Sequence, residues 1–434
     1  MGLLHPSRLP FRLAVLLAAG LLTYGSYFAY DSVGALAPTL IQAWSTDREA
    51  IGWLYTIYSV AGIVSVVLGG MLTDRIGTRR ASLIFSLLIA AGACIVAAAP
   101  TVGVACVGRF IFGAGSESLT VAQNAICARW FRDRELAMSM GMTITVSRLG
   151  TLFSFNTESL LASRFGWQGA LWAAAGFCLL SLGANLLYCW MDRHGEKVLG
   201  LKEEGGGEQI SPADIRRFGW SYLWVILLCF TFYSAVFPFT ALSTDFFHEK
   251  WGLPLTTDEG GSFLAAVFSD FRHMFSTAPG NSSIIIFASM VLAPFVGSYV
   301  DRRGRRSILM MAGSLLMIPA YLLLGFTRVP PVFAMLLLGA AFVLVPAALW
   351  PAVPLVVEKS RVGTAFGLMT MLQNVGLALF PWLNGKLRDL THDYRASMAM
   401  FAALGLAGLA FSILLKLEDR RSGGTLDAGL AETP

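Results

Sequence analysis

The sequence predicts an all-α membrane protein of twelve transmembrane helices arranged as two pseudo-symmetric six-helix bundles. Three observations predict it. Of the 434 residues, 56% are hydrophobic and only 14% are charged, whereas soluble domains carry about 25% charged residues. Apolar runs long enough to cross roughly 30 Å of hydrocarbon recur along the whole chain. A short loop motif occurs twice, near residues 70 and 297, as expected of a chain built from an internal repeat.

Taken in order, the apolar runs between charged or Gly/Pro-rich breaks fall at 11–36, 49–72, 81–99, 102–128, 137–163 and 168–191. The first is too long for a signal-peptide core and is kept as a helix. A polar stretch at 192–217, with Gly205, Gly206, Gly207 and several acids, reads as a solvated linker between an N-terminal domain, 1–191, and a C-terminal domain, 218–418. The second set of spans falls at 220–247, 282–300, 307–326, 331–357, 363–387 and 396–416. Between the first two lies an external loop, 248–281, in which 263–268 is weakly apolar and Asp270 and Arg272 follow. A short amphipathic helix is expected there. Residues 419–434 form a tail.

Charge fixes the topology and excludes some functions. The net charge of +5 could indicate nucleic acid or acidic lipid, but the Lys and Arg residues sit in short clusters between apolar runs, which is a membrane pattern and not a nucleic-acid stripe. Their excess in alternate loops predicts that both termini and the linker are cytoplasmic. Cys94, Cys106, Cys127, Cys178, Cys189 and Cys229 all fall inside apolar runs without metal-ligand or disulfide spacing and read as small core residues. The histidines lie outside the helices and no nucleophile-base pair is visible, so neither an enzyme nor a metal or cofactor is expected.

The duplicated loops read Gly70-Met71-Leu72-Thr73-Asp74-Arg75-Ile76-Gly77 and Gly297-Ser298-Tyr299-Val300-Asp301-Arg302-Arg303-Gly304. They resemble the loop signature of the major facilitator superfamily. The resemblance implies that the first glycine permits close helix approach and that Asp74, Arg75, Asp301 and Arg302 form charge pairs that latch the two halves. The same charges would also cap helices and enforce topology, and both roles stay open. Arg109-Phe110-Ile111-Phe112-Gly113 in the fourth helix is similar to the second signature of that superfamily. The antiporter signature of the fifth helix is missing from 141–150.

Charges inside the bilayer are costly, so they pair or face a watery cavity. Arg109 and Arg148 are the basic residues at that depth, and Asp31 and Glu117 the clear acidic ones. Glu117 lies about halfway along the fourth helix and Arg148 about 16 Å into the fifth, so a carboxylate and a guanidinium can face one cavity at similar depth. The pair suits a zwitterion, whose ammonium and carboxylate would replace their mutual attraction. A permanent salt bridge holding two helices together is the rival account. Asp31 fits either a proton-coupling carboxylate or the partner of an arginine such as Arg109, and Arg109 itself reads as structural.

The stretch Gly113 to Asn124, then Trp130-Phe131 and Ser147-Arg148-Leu149-Gly150, resembles the lysosomal dipeptide uniporter branch of this superfamily. Similar stretches are Gly25 to Asp31, Val236 to Phe239, Ala348 to Pro351 and Leu372 to Ala378. The resemblance implies that Glu117 receives a peptide amino terminus and Arg148 its carboxylate. Further lining candidates are Tyr24, Tyr27 and Tyr30, three apart on the first helix, Tyr55 and Tyr58 on the second, and Asn124, Trp350 and Asn374. Aromatic packing is the alternative for the tyrosines. The expected cargo is a dipeptide or other small zwitterion, carried by a monomer through alternating access, with uniport or proton coupling open; the alternative is a proton-coupled or antiporting carrier of organic anions or other small metabolites. No acidic dileucine signal precedes Leu3-Leu4, and the triplet Asn281-Ser282-Ser283 abuts a helix. A bacterial inner membrane is therefore the expected location.

Overall fold

The computed structural model describes residues 9–131, 136–199, 218–257, 262–358, 361–421, 424 and 426–427. Among these there are thirteen helices and no strand: α1 (Leu9–Ala35), α2 (Ala37–Ala43), α3 (Arg48–Ile76), α4 (Thr78–Ala98), α5 (Val102–Phe131), α6 (Leu136–Leu199), α7 (Trp220–Trp251), α8 (Phe263–Arg272), α9 (Ala278–Arg303), α10 (Arg306–Phe326), α11 (Pro331–Val356), α12 (Val362–Thr391) and α13 (Arg395–Arg421). Ten of them are long and apolar enough to cross a membrane. The 64-residue α6 holds two spans, because Gly166 (φ 74°, ψ 164°) breaks it where the sequence reading places the gap between 163 and 168. With α5, whose Arg109, Glu117 and run of small polar residues lower its hydropathy, the spans number twelve.

The chain folds as two compact units, 1–45 with 57–207 and 46–56 with 208–434. The first eleven residues of the second unit are the approach to α3 and its head, while the body of that helix belongs to the first unit.

In the first unit α1 lies along α6 at glycine-set contacts. A Cβ at Gly25 would run into the Phe177 carbonyl, and one at Gly150 into the Tyr24 carbonyl, so the backbones meet without intervening side chains. Helix α6 continues through residues 192–199, where the sequence reading has linker. Its Asp192 is fully buried: it accepts from Trp130 Nε1 at 2.7 Å and lies 3.5 Å from both Arg79 and Arg129.

In the second unit prolines interrupt α7, α9, α10, α11 and α12. Each removes one backbone donor from its helix. Around Pro238 two carbonyls of α7 also take side-chain donors. Tyr321 Oη donates to the Ala235 carbonyl at 2.8 Å, and Asn384 Nδ2 to that of Pro238 at 3.1 Å. The expected amphipathic helix is α8. It is capped by Ser262, whose Oγ accepts from the Ala265 amide. It buries Asp270 against Thr256 and Thr257 and leaves Leu264 and Phe268 exposed.

Candidate functional site

The tyrosines of α1 take the three-residue spacing of one helix face. Tyr24, Tyr27 and Tyr30 are each partly exposed, while the residues between them are buried. Tyr58 of α3 is buried. Its Oη donates to Glu117 Oε1 at 2.9 Å, and its ring meets that of Tyr30 edge-on at 4.8 Å. Glu117 on α5 and Arg148 on α6 are both half-buried, and both lie within electrostatic reach of Tyr27, as does Asp31. Four helices of the first unit therefore bring a carboxylate, a guanidinium and phenolic hydroxyls together around one residue. Asn124, about two turns beyond Glu117 on α5, is exposed.

Arg109 is buried, and its Nη1 donates to the Ala29 carbonyl at 3.4 Å. Its guanidinium carbon sits 5.1 Å from the Tyr30 ring centre, 5.2 Å from Tyr58 and 5.4 Å from Phe112. The negative ring faces hold the cation without a solvent shell. Asp31 is buried too and accepts from Thr151 Oγ1 at 2.6 Å.

In the second unit Trp350 is partly exposed. Its Nε1 donates to Tyr233 Oη at 2.9 Å, and its ring stacks near Phe366. Asn374 is fully buried; Nδ2 donates back to the Thr370 carbonyl of its own helix at 3.2 Å, and Oδ1 has no hydrogen-bond partner.

The repeated loops also depart from the expectation. A Cβ at Gly70 would meet only Val121 Cγ1 at 3.9 Å, and one at Gly297 nothing within 4 Å. Neither glycine is a close-approach point. The tight spot is one residue earlier, where a Cβ at Gly69 would collide with Ser118. Gly77 (φ 81°) and Gly304 (φ 64°) are instead turn residues with positive φ, a conformation that side chains disfavour. Asp74, Arg75 and Arg302 are exposed, and no ion pair joins them to another described residue. The side chain of Asp301 lies outside the described residues. The carboxylates that hold these corners come from the end of α6 and from the chain beyond α13. Glu196 reaches Arg79 at 2.6 Å beside Asp192. Asp427 accepts from the Ser307 amide at 2.8 Å and from its hydroxyl at 2.5 Å.

Sequence reasoning missed two further groups. Glu158 on α6 is 0% exposed, although the sequence reading counts only Asp31 and Glu117 as deep acids. The signal was present as polar residues at helical steps, Ser147, Thr151, Ser154 and Glu158. The second group ties the head of α3 into the second unit. Arg48 Nε lies 2.7 Å from Asp245 Oδ2 and its Nη2 3.3 Å from Glu249, which also meets Arg388 at 2.8 Å. Tyr394 Oη donates to Asp245 at 2.6 Å. Burial, reinforced by that carboxylate, pushes the Tyr394 hydroxyl well above the ordinary tyrosine value, so it stays a donor. Among the described residues no cluster of His, Cys, Asp and Glu could hold a metal ion.

The profile of the Major Facilitator Superfamily matches residues 16–271 and 272–433. The lysosomal dipeptide transporter MFSD1 of Mus musculus is 33% identical over 443 residues, covering 98% of this chain and 90% of that protein. The protein of the same name from Danio rerio is 32% identical over 433 residues, covering 96% and 90%. A probable sulfoacetate transporter, SauU, from Cupriavidus necator is 24% identical, covering 93% and 95%. Among solved structures, the peptide transporter POT in complex with sulfate matches with a TM-score of 0.71 at 15% identity, covering 95% of this chain and 96% of that one. A mutant of the nucleoside transporter NupG matches at 0.68 and 15%, covering 94% and 100%. The last two likenesses bear on the fold alone.

Proposed function

The chain belongs to the major facilitator superfamily and is a membrane transporter, not an enzyme; from that premise we propose that it carries dipeptides by alternating access, reading their two termini with Glu117 and Arg148. The observation that carries this reading is the grouping of Glu117, Arg148, Tyr27 and Tyr58 in one unit, each charge half-buried and so able to exchange water for a ligand. The names of the Mus musculus and Danio rerio relatives support the cargo.

Physically, a zwitterion keeps the site neutral as it enters, since its ammonium meets Glu117 and its carboxylate meets Arg148. Two residues span at most about 7 Å, so one dipeptide reaches both groups while its side chains point elsewhere. A site that reads the backbone termini accepts many side chains. Tyr58 donates to one carboxylate oxygen of Glu117 and so fixes the orientation of the group that would meet the peptide ammonium. Tyr24, Tyr27 and Tyr30 present hydroxyls along the same approach, and Trp350 lines the path within the second unit. The loop charges Asp74, Arg75, Asp301 and Arg302 serve as a latch in another state of the cycle. The protein works as a monomer in a bacterial inner membrane, with both termini cytoplasmic.

The test is uptake of a labelled dipeptide into liposomes by the wild type, Glu117→Gln and Arg148→Ala. Each variant gives up a charge-assisted hydrogen bond of about 1.5–3 kcal/mol, roughly a tenfold to hundredfold loss of affinity. Uptake unchanged in both variants would sink the reading. The resemblance to a probable sulfoacetate transporter favours a second one, an organic-anion carrier using Arg148 alone. It predicts that small organic anions compete with the label and that Glu117→Gln retains their transport.

A further inference from the structure

The polar stripe on α6 ends in a group that the peptide site does not use. Ser147, Thr151, Ser154 and Glu158 recur at steps of four, three and four, which places them on one helix face, and all four are buried. The stripe runs along α1. Ser147 shares a 2.6 Å hydrogen bond with Thr23, Thr151 donates to Asp31 at 2.6 Å, and Ser159 donates to the Ala35 carbonyl at 3.4 Å. At the far end the partners stop. Ser154 Oγ and both carboxyl oxygens of Glu158 have no hydrogen-bond partner.

No described cation compensates Glu158. The elements packed against α6 are α1, α2, α4 and α5. Their titratable groups are Arg12, Tyr24, Tyr27, Tyr30 and Asp31 on α1, Arg79, Arg80 and Cys94 on α4, and Cys106, Arg109, Glu117, Cys127 and Arg129 on α5; α2 has none. Arg148 and Arg164 share its own helical segment. None of them hydrogen-bonds to Glu158, whose two carboxyl oxygens are enclosed without a partner. An ionised carboxylate with neither water nor a partner is too costly to keep, and such a group neutralises by taking a proton. Glu158 also lies about 15 Å of helix rise beyond Arg148, outside the reach of a bound dipeptide's termini.

We propose that Glu158 is a proton-binding site, a neutral carboxylic acid in the present state that gives up its proton to water in another state of the cycle, so that peptide movement is coupled to proton movement. The step is the breaking and remaking of one O–H bond. The proton comes from water on one side of the membrane and returns to water on the other, and no other co-reactant is needed. The coupling rests on the dipeptide reading above; the protonation of Glu158 does not.

Two measurements on the full chain in liposomes test it. Infrared spectra at neutral pH are expected to show the carbonyl stretch of a protonated carboxylic acid that Glu158→Gln lacks; a difference spectrum without that band overturns the proposal. A pH-sensitive dye trapped in the lumen is expected to report acidification when a zwitterionic dipeptide is added outside wild-type liposomes. The Glu158→Gln protein should keep exchange of labelled for unlabelled dipeptide and lose the acidification. Peptide uptake by the wild type without acidification, or acidification undiminished in the variant, also overturns it. Should Glu158→Gln fail to fold, the wild-type dye measurement decides alone. Failure of the dipeptide reading looks different, as no uptake of labelled dipeptide with the infrared band intact.

Discussion

Tyr58 joins two functions in one side chain, its hydroxyl on Glu117 and its ring against the Arg109 guanidinium. Tyr58→Phe keeps the ring and removes the donor. Dipeptide affinity is expected to fall by up to about tenfold, the equivalent of one hydrogen bond near 1 kcal/mol, with thermal stability little changed; calorimetric titration checks the first and thermal unfolding the second. Arg109→Lys acts in the opposite sense. An ammonium is a compact, strongly hydrated charge that cannot reproduce a guanidinium held among three rings, so stability should fall by about 2 kcal/mol. At this scale the sequence was informative where a charge interrupts an apolar run, as at Glu117, Arg148, Asp31 and Arg109. It passed over Glu158, because full enclosure of that carboxylate is a product of tertiary packing that its own stretch of sequence does not display.

Helices pack here by removing side chains as much as by adding them. Gly25 against Phe177 and Gly150 against Tyr24 leave no room for a methyl group, so Gly25→Ala is expected to destabilise by about 1–3 kcal/mol through overpacking, seen as a lower unfolding temperature. A substitution at Gly183, where a Cβ would meet nothing within 4 Å, serves as the control. Periodicity and length made the twelve spans legible, and the break in α6 was visible as Arg164-Phe165-Gly166. The end of α6 was not. Asp192, Arg193, Glu196 and Lys197 look like a solvated run, and only the arrival of Trp130, Arg79 and Arg129 makes that stretch a continuation of the helix. In the same way the repeated Asp-Arg loops were found by pattern, but the pattern does not say which acid closes each corner, and the closing acids Glu196 and Asp427 lie outside it.

For the molecule as a whole, ligand binding and folding share one free energy. A dipeptide held between α5 and α6 at one hundred times its dissociation constant adds about 2.7 kcal/mol to stability. Uncapped dipeptides are therefore expected to raise the unfolding temperature, and peptides blocked at either end to raise it less. Equal shifts from blocked peptides would remove the termini from the recognition scheme. Topology is tested separately. A fluorescent reporter that matures only in the cytoplasm, fused after Pro434, should glow if the excess of basic residues in alternate loops has set the orientation. The division into two units was legible from the repeat; that the head of α3 is counted with the second unit was not, since it depends on Arg48 finding Asp245 and Glu249.

The turn glycines of the two loops have one more consequence. Gly77 (φ 81°) and Gly304 (φ 64°) occupy backbone conformations whose reflections are ordinary for natural residues, so each loop contains, in effect, one amino acid of the opposite hand. L-alanine at either place should cost about 1–3 kcal/mol, while D-alanine introduced by semisynthesis should fit and, by narrowing the unfolded ensemble, even stabilise. The glycine that closes the repeated motif is thus explained by stereochemistry before any role in transport is invoked.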